Sequence, residues 1–217
     1  MTQSTADPCL YISSSKTEYL LIWVDDIIIA THSDSRIHDI KVLLSSHFDM
    51  KDLGVLAVFL GIQFKHGVDF ISMSQSTYLQ NVLHTFGMSD CKPRATPCES
   101  LNTYDEMKVV VGSNTDYRKM VGSLIYAMTC TRPDLAFVVT KLSQHLSNPE
   151  ASDWTMLRHV FEYVKGTLMN SLTFKKSAGG IRIYAYCDAG WGSSLSDRHS
   201  IPGYHIKFSA KEGLPIS

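Results

Sequence analysis

Two apolar runs, Tyr19 to Val24 and Ile27 to Ala30, are separated only by the adjacent aspartates Asp25 and Asp26. The runs are rich in Ile, Val, Leu and aromatic residues and too short for independent helices, so they predict two strands buried on both faces, with the acidic pair at the turn. Asp34 then caps a helix through His47 whose apolar positions Ile37, Ile40, Leu44 and Phe48 keep helical spacing. Val55 to Lys65 and Asp69 to Met73 predict strands joined around His66-Gly67. Ser74 caps a second helix that turns Leu79, Val82, Leu83 and Phe86 inward and stops at Gly87.

Periodicity lapses from Glu99 to Asp116, a mostly polar stretch that suggests a linker. A helical block follows. Tyr117 to Cys130 carries Val121, Leu124, Ile125 and Met128 on one side, Pro133 opens a helix with Leu135, Val138, Val139 and Leu142, and Asn148-Pro149 ends it. A third helix, capped near Ser152, shows Trp154, Leu157, Phe161 and Val164 and closes at Gly166. Aromatic residues at helical spacing are more often core than a base-stacking platform, so Trp154 and Phe161 are assigned to packing. From Ser171 the period becomes that of strands: Leu172 to Lys175, a turn at Gly179-Gly180, Ile181 to Cys187 ending at Asp188, and Gly203 to Phe208. The order is α+β.

Composition narrows the class only a little. With 217 residues, 44% hydrophobic and 19% charged, the chain can bury one large or two small cores. A net charge of -1 gives no global basic footprint, so any nucleic-acid surface must be local. Five cysteines without a CxxC pair argue against a disulfide scaffold and a zinc ribbon, and fit a reducing, intracellular setting. The nine histidines lack metal-site spacing. The first residues lack the regions of a signal peptide, and the longest apolar stretch, cut by Asp25 and Asp26, is shorter than the ~20 residues of a bilayer span, so a soluble chain without membrane association is expected.

The acidic doublet is the most informative chemistry. Neighbouring carboxylates on a regular strand point to opposite faces and can approach one ion together only where the backbone bends. Hard divalent cations take oxygen ligands, and two-metal sites stabilise the attacking and leaving oxygens of an in-line displacement. Asp is equally an ordinary hairpin-turn residue that tolerates positive φ, so the doublet alone leaves both readings open.

Further segments decide between them: Met50-Lys51-Asp52-Leu53-Gly54, Phe59-Leu60-Gly61-Ile62, Ser74-Gln75 with Tyr78, Phe86-Gly87-Met88 and Cys91-Lys92-Pro93. Beyond them stand Tyr117-Arg118, Val121-Gly122-Ser123, Thr131-Arg132-Pro133-Asp134, Asn148-Pro149, Trp154, Tyr163-Val164-Lys165-Gly166-Thr167, Asp188-Ala189-Gly190-Trp191 and Ser200-Ile201-Pro202-Gly203-Tyr204. In this order and spacing, from about Asp7 to about Phe208, the chain resembles the Pol polyprotein of copia-type LTR retrotransposons, from late in the reverse transcriptase into the start of its RNase H.

The resemblance implies the C-terminal part of a reverse-transcriptase palm over 1–98, a linker over 99–116, a helical thumb and connection block over 117–168, and the first strands of a truncated RNase H-like domain over 169–217. It implies RNA-directed DNA polymerisation with Mg2+, or Mn2+ in its place, with Asp25 and Asp26 as catalytic metal ligands and Asp188 as the first RNase H carboxylate. The implied partners are an RNA template, a DNA primer or RNA–DNA hybrid, deoxynucleotides and the remainder of Pol, in a cytoplasmic particle or the nucleus rather than outside the cell. Arg118, Arg132, Arg158 and Lys165 are the candidate phosphate contacts. Two departures stand out: Trp23 where the family commonly has tyrosine, and Gly190 where it has a second aspartate. A further palm aspartate is expected upstream of the doublet, and neither Asp7 nor Glu18 suits that role. The remaining RNase H carboxylates are expected downstream of Ser217, so this chain is expected to hold incomplete centres. A non-catalytic nucleic-acid- or protein-binding remnant of a decayed element is the alternative.

Overall fold

The computed structural model describes residues 1–99, 112–176, 182–190 and 201–209. It divides the chain into two compact units, Met1–Ala57 and Val58–Ser217. The first unit is an antiparallel meander of four strands in the order β1 (Thr2–Gln3), β2 (Leu10–Ile12), β3 (Glu18–Trp23) and β4 (Asp26–Thr31), followed by α1 (Asp34–Ser45). β3 and β4 run in register from Glu18 opposite Thr31 to Trp23 opposite Asp26. Leu20 is buried, but Leu21, Ile22 and Ile27 to Ile29 are half-buried and Tyr19 and Trp23 are exposed. The expectation of strands buried on both faces is therefore corrected. α1 starts after Ser33 rather than being capped by Asp34, and of its apolar stripe Ile40 is buried while Phe48 lies exposed beyond the helix end.

The second unit begins with β5 (Val58–Phe59), β6 (Ile62–His66) and β7 (Phe70–Ser74). The single strand expected over Val55 to Lys65 is broken by a two-residue turn in which both Leu60 (φ 49) and Gly61 (φ 74) have positive φ, the pattern of a type I′ turn. Helix α2 (Ser76–Thr85) follows, with Gln75 rather than Ser74 at its N-cap. At its other end Gly87, with φ 67, donates to His84 O at 3.1 Å and Met88 N donates to Leu83 O at 2.7 Å, a Schellman closure.

Helix α3 (Asn114–Cys130) starts inside the segment expected to be linker. The Asp116 amide donates to Ser113 Oγ at 3.2 Å, while Ser113 Oγ donates back to Asp116 Oδ2 at 2.7 Å. The remainder of that linker, 100–111, lies outside the described residues. A short 3-10 turn at Pro133–Leu135 leads into α4 (Ala136–Ser143), which ends before Asn148-Pro149. α5 (Ala151–Gly166) is capped by Glu150, not near Ser152: the Glu150 amide donates to Asp153 Oδ2 at 2.8 Å and the Glu150 side chain accepts from the Asp153 amide.

One core joins these helices. Leu79 and Leu83 of α2 pack with Tyr117, Val121 and Leu124 of α3, Leu135, Val138 and Leu142 around α4, and Leu157, Val160, Phe161 and Val164 of α5. Trp154 and Phe161 belong to this core, as their spacing predicts.

The third strand region differs most from expectation. β8 (Leu172–Lys175) pairs antiparallel with β7, Phe70 opposite Lys175 and Met73 opposite Leu172, so it completes a β5-β6-β7-β8 sheet. It thus joins elements placed before the linker, and the compact units do not follow the expected 98/99 and 168/169 boundaries. β9 (Arg182–Gly190) and β10 (Ile201–Ser209) form a separate antiparallel ribbon.

Candidate metal and nucleic-acid sites

The β3–β4 hairpin closes on the Trp23–Asp26 pair, which leaves Val24 and Asp25 as its turn. The aspartates do not share the turn: Asp25 occupies it and Asp26 opens β4. Both are exposed. The residue with positive φ is Val24, at 55°, and it is 88% exposed. A β-branched side chain is disfavoured there because its Cβ crowds the backbone carbonyl, so the turn stores strain next to the doublet. Of the earlier acidic side chains, Asp7 Oδ1 accepts from the Cys9 amide at 2.8 Å and Glu18 accepts from Arg36 Nε at 2.6 Å. The hydrogen bond from Arg36 holds the Glu18 carboxyl below its ordinary pKa.

Asp188 lies within β9, opposite Gly203, rather than at the strand's end, and its side chain is exposed. It belongs to the second compact unit and the doublet to the first. Among the described residues no group of three or more His, Cys, Asp and Glu side chains is arranged to hold a metal ion. The doublet offers hard oxygen donors without forming a complete site.

The candidate cations divide sharply. Arg132 is 1% exposed. Its Nε and Nη2 reach the Asp134 carboxylate at 3.0 and 2.8 Å, its Nη1 donates to Thr167 O at 3.2 Å, and its Nη2 donates to Thr167 Oγ1 at 2.6 Å. The guanidinium also lies over the Tyr163 ring, 5.6 Å from its centroid, while Tyr163 Oη donates to Asp134 Oδ2 at 2.8 Å. Arg132 is thereby removed from the phosphate contacts: it is buried and its donors are engaged. Burial raises the Asp134 carboxyl, but the hydrogen bond and charge of Arg132, with the Tyr163 hydroxyl, outweigh burial and hold it below its ordinary value. Tyr163 is pushed up, by burial first and then by Asp134.

Arg118 and Arg158 are exposed, Arg118 donating to Leu146 O at 2.9 Å and Arg158 to Glu162 Oε1 at 3.3 Å. Lys165 is half-buried and lines a cleft of about 310 Å³ with Ser76, Gln80, Thr167 and Asn170.

Sequence reasoning missed the polar centre at Gln75. This side chain is 1% exposed, and its Oε1 accepts from Thr131 Oγ1 at 2.7 Å. A signal existed, since Gln75 and Thr131 both lie in segments that carry the resemblance. The long separation between them hid the pairing.

Comparison with known proteins assigns the family. A model described as reverse transcriptase (RNA-dependent DNA polymerase) matches residues 1–100. An uncharacterized mitochondrial protein of Arabidopsis thaliana is 36% identical over 206 residues, covering 92% of this chain and 85% of that protein. The retrovirus-related Pol polyprotein from transposon TNT 1-94 of Nicotiana tabacum is 34% identical over 217 residues. The chain belongs to the reverse transcriptases of copia-type retrotransposon Pol polyproteins.

The chain covers only 16% of the tobacco polyprotein's length. It likewise covers 14% of the retrovirus-related Pol polyprotein from transposon RE1 of Arabidopsis thaliana, which is 32% identical over 208 residues. No solved structure matches it. The matches do not favour the alternative of a non-catalytic binding remnant. Among the described residues no helix is long and apolar enough to cross a membrane.

Proposed function

We propose that Asp25 and Asp26 supply carboxylate oxygens to the divalent-metal centre of an RNA-directed DNA polymerase that other parts of Pol complete. The observation that supports this most directly is the exposure of both carboxylates at the end of a hairpin between the apolar runs Tyr19 to Val24 and Ile27 to Ala30, inside the matched region. Mg2+ is the assigned ion, with Mn2+ as its substitute, because hard cations of this size take carboxylates together with substrate phosphates. The doublet alone does not make a metal centre, so no reaction step is assigned to this chain by itself.

The implied partners are RNA template, DNA primer or RNA–DNA hybrid, deoxynucleotides and the rest of Pol, inside the cell in a cytoplasmic particle or the nucleus. Residues 1–98 would serve as palm, 117–168 as thumb and connection, and 169–217 as the start of an RNase H-like domain in which Asp188 is a metal ligand. In favour of that last part, one face of the β9–β10 ribbon carries Ile183, Tyr204, Ile206 and Phe208, all more than half exposed, and an apolar sheet face of this kind calls for a covering layer. Arg118 and Arg158 remain as exposed phosphate contacts.

In a complete Pol, Asp25→Asn and Asp26→Asn should each abolish primer extension while leaving duplex binding in place. Full extension by both variants would remove the doublet from the polymerase centre.

A further inference from the structure

The loop before β2 holds no metal ligand, yet it braces the strand that leads to the acidic doublet. Asp7 and Pro8 take the first two places of a β-turn in which Leu10 N donates to Asp7 O at 3.1 Å, the places these residue types favour. Asp7 Oδ1 also accepts from the Cys9 amide at 2.8 Å, the side-chain bond of an Asx turn. Three further bonds fix the loop: Gln3 Nε2 donates to Pro8 O at 2.7 Å, Ser4 N to Leu10 O at 2.7 Å, and Ala6 N to Ser4 Oγ at 3.2 Å.

The consequence falls on β3. Its register with β2 ends at Leu10 opposite Leu21, but Ile22 N donates to Cys9 O at 2.9 Å, one position nearer the hairpin end. Ile22 lies opposite Ile27, and the next pair, Trp23–Asp26, closes the hairpin on Val24 and Asp25. Among the described residues, the Ile22–Cys9 bond is the outermost backbone tie from the β2 side to this hairpin. Beyond it only a two-stranded ribbon remains, and such a ribbon is marginally stable by itself in water. Asp7 grips both peptide groups that flank Cys9: Oδ1 takes the Cys9 amide, and the main-chain oxygen takes the Leu10 amide, which shares a plane with Cys9 O.

We propose that Asp7 is a positioning residue for the polymerase centre: by fixing the Cys9 carbonyl it sets the end of β3, and so the place at which Asp25 and Asp26 offer their oxygens to the metal. The inference rests on the function proposed above. A displacement of about 1 Å at a reacting centre costs on the order of a hundredfold in rate, so a brace that adds little to folding can still decide metal capture.

Asp7→Ala removes the side-chain acceptor, whereas Asp7→Asn keeps it and removes only the charge. In the full chain, amide hydrogen exchange at Ile22 should quicken about tenfold in Asp7→Ala, the weight of one hydrogen bond to a charged group, and return toward the original rate in Asp7→Asn. In a complete Pol, the Mg2+ concentration for half-maximal primer extension should rise about tenfold in Asp7→Ala, the scale for losing a group that orients a metal ligand, and stay in place in Asp7→Asn. A loss of folded protein alone would lower extension equally at every Mg2+ concentration. Gln3→Ala removes only the strut to Pro8 O; it should move both readouts in the same direction by less, and it carries the test if Asp7→Ala does not fold.

Unchanged exchange and an unchanged Mg2+ midpoint in Asp7→Ala, or in Gln3→Ala where that variant stands in, overturn the inference; if Asp25→Asn is inactive beside them, the proposed function still stands. Quickened exchange with an unmoved midpoint also overturns it and leaves the loop a purely structural turn. Equal defects in Asp7→Ala and Asp7→Asn overturn it too, because the charge rather than the turn would then act. Full extension by Asp25→Asn and Asp26→Asn removes the proposed function, and this inference with it.

Discussion

Nη2 of Arg132 donates to Oγ1 of Thr167 at 2.6 Å, tying together positions 35 residues apart. Other segments that carry the family resemblance are joined in the same way. Thr131 donates to Gln75, Tyr78 Oη donates to Ser123 O at 3.1 Å, and Gly166 sits against Pro93 and Arg94. Chemistry-bearing residue types in this part of the chain thus hold the helical core together.

Arg132→Lys will test the clamp. Lysine keeps the charge but has no planar fork, so it cannot serve both Asp134 oxygens and both Thr167 acceptors. The expected cost is on the order of 2 kcal/mol, since a buried set of charge-assisted hydrogen bonds is left incomplete. Denaturant unfolding measures it. A midpoint equal to that of the unchanged protein would mean that the network contributes nothing.

The clamp also predicts an acid-side stability profile. The folded-state pKa of Asp134 is lowered, so the unfolded state binds protons first as pH falls. Its contribution is present above the unfolded carboxyl value of about 3.9 and is lost as pH drops through the lower folded value. Melting temperature between about pH 5 and pH 2 should therefore fall less steeply in Asp134→Asn than in the unchanged chain. Parallel profiles would place the acid sensitivity elsewhere.

These relationships explain what could be read from the chain and what could not. α3 and α5 were legible because Val121, Leu124, Leu157, Phe161 and Val164 repeat at the helical period and all are buried. Helix starts were displaced by a residue or two because Asp34, Ser74 and Ser152 are plausible caps by type, whereas the actual capping at Glu150 depends on a reciprocal bond with Asp153. The pairing of β8 with β7 is non-local and leaves no mark on local periodicity. Arg132 was misread because arginine is ordinarily exposed, and only its partners reveal why it is buried here. At the doublet, apolar flanks disclosed the hairpin, but register decided that the turn is Val24-Asp25 and that Asp26 already belongs to β4.

The strained turn yields a third expectation. Val24 has φ 55 and is 88% exposed, so replacing it by glycine gives up little packing and relieves the conformational penalty. Glycine costs unfolded-chain entropy, which offsets part of the gain. Val24→Gly should stabilise the chain by on the order of 1 kcal/mol. In a complete Pol the same change should lower primer extension by loosening the turn that presents Asp25. Higher stability with unaltered extension would mean that turn rigidity does not matter to the polymerase.

Two motif glycines should respond to alanine with opposite signs. Gly122 lies exposed inside α3, and an added Cβ meets nothing within 4 Å, so Gly122→Ala should stabilise by about 0.5–1 kcal/mol through helix propensity. Gly166 ends α5, and there the added Cβ would lie 3.0 Å from Arg94 O and 3.1 Å from Pro93 Cβ. The nearest obstacle is a backbone carbonyl, and Arg94 N is itself hydrogen-bonded to Glu162 O at 3.2 Å, so the loop cannot easily withdraw. Gly166→Ala should destabilise by about 1 kcal/mol despite the better helix former. Denaturation midpoints of the two variants, measured side by side, check the contrast. If Gly122→Ala is stable but binds an RNA–DNA hybrid more weakly, the missing side chain at Gly122 serves close approach of nucleic acid to α3 rather than the fold.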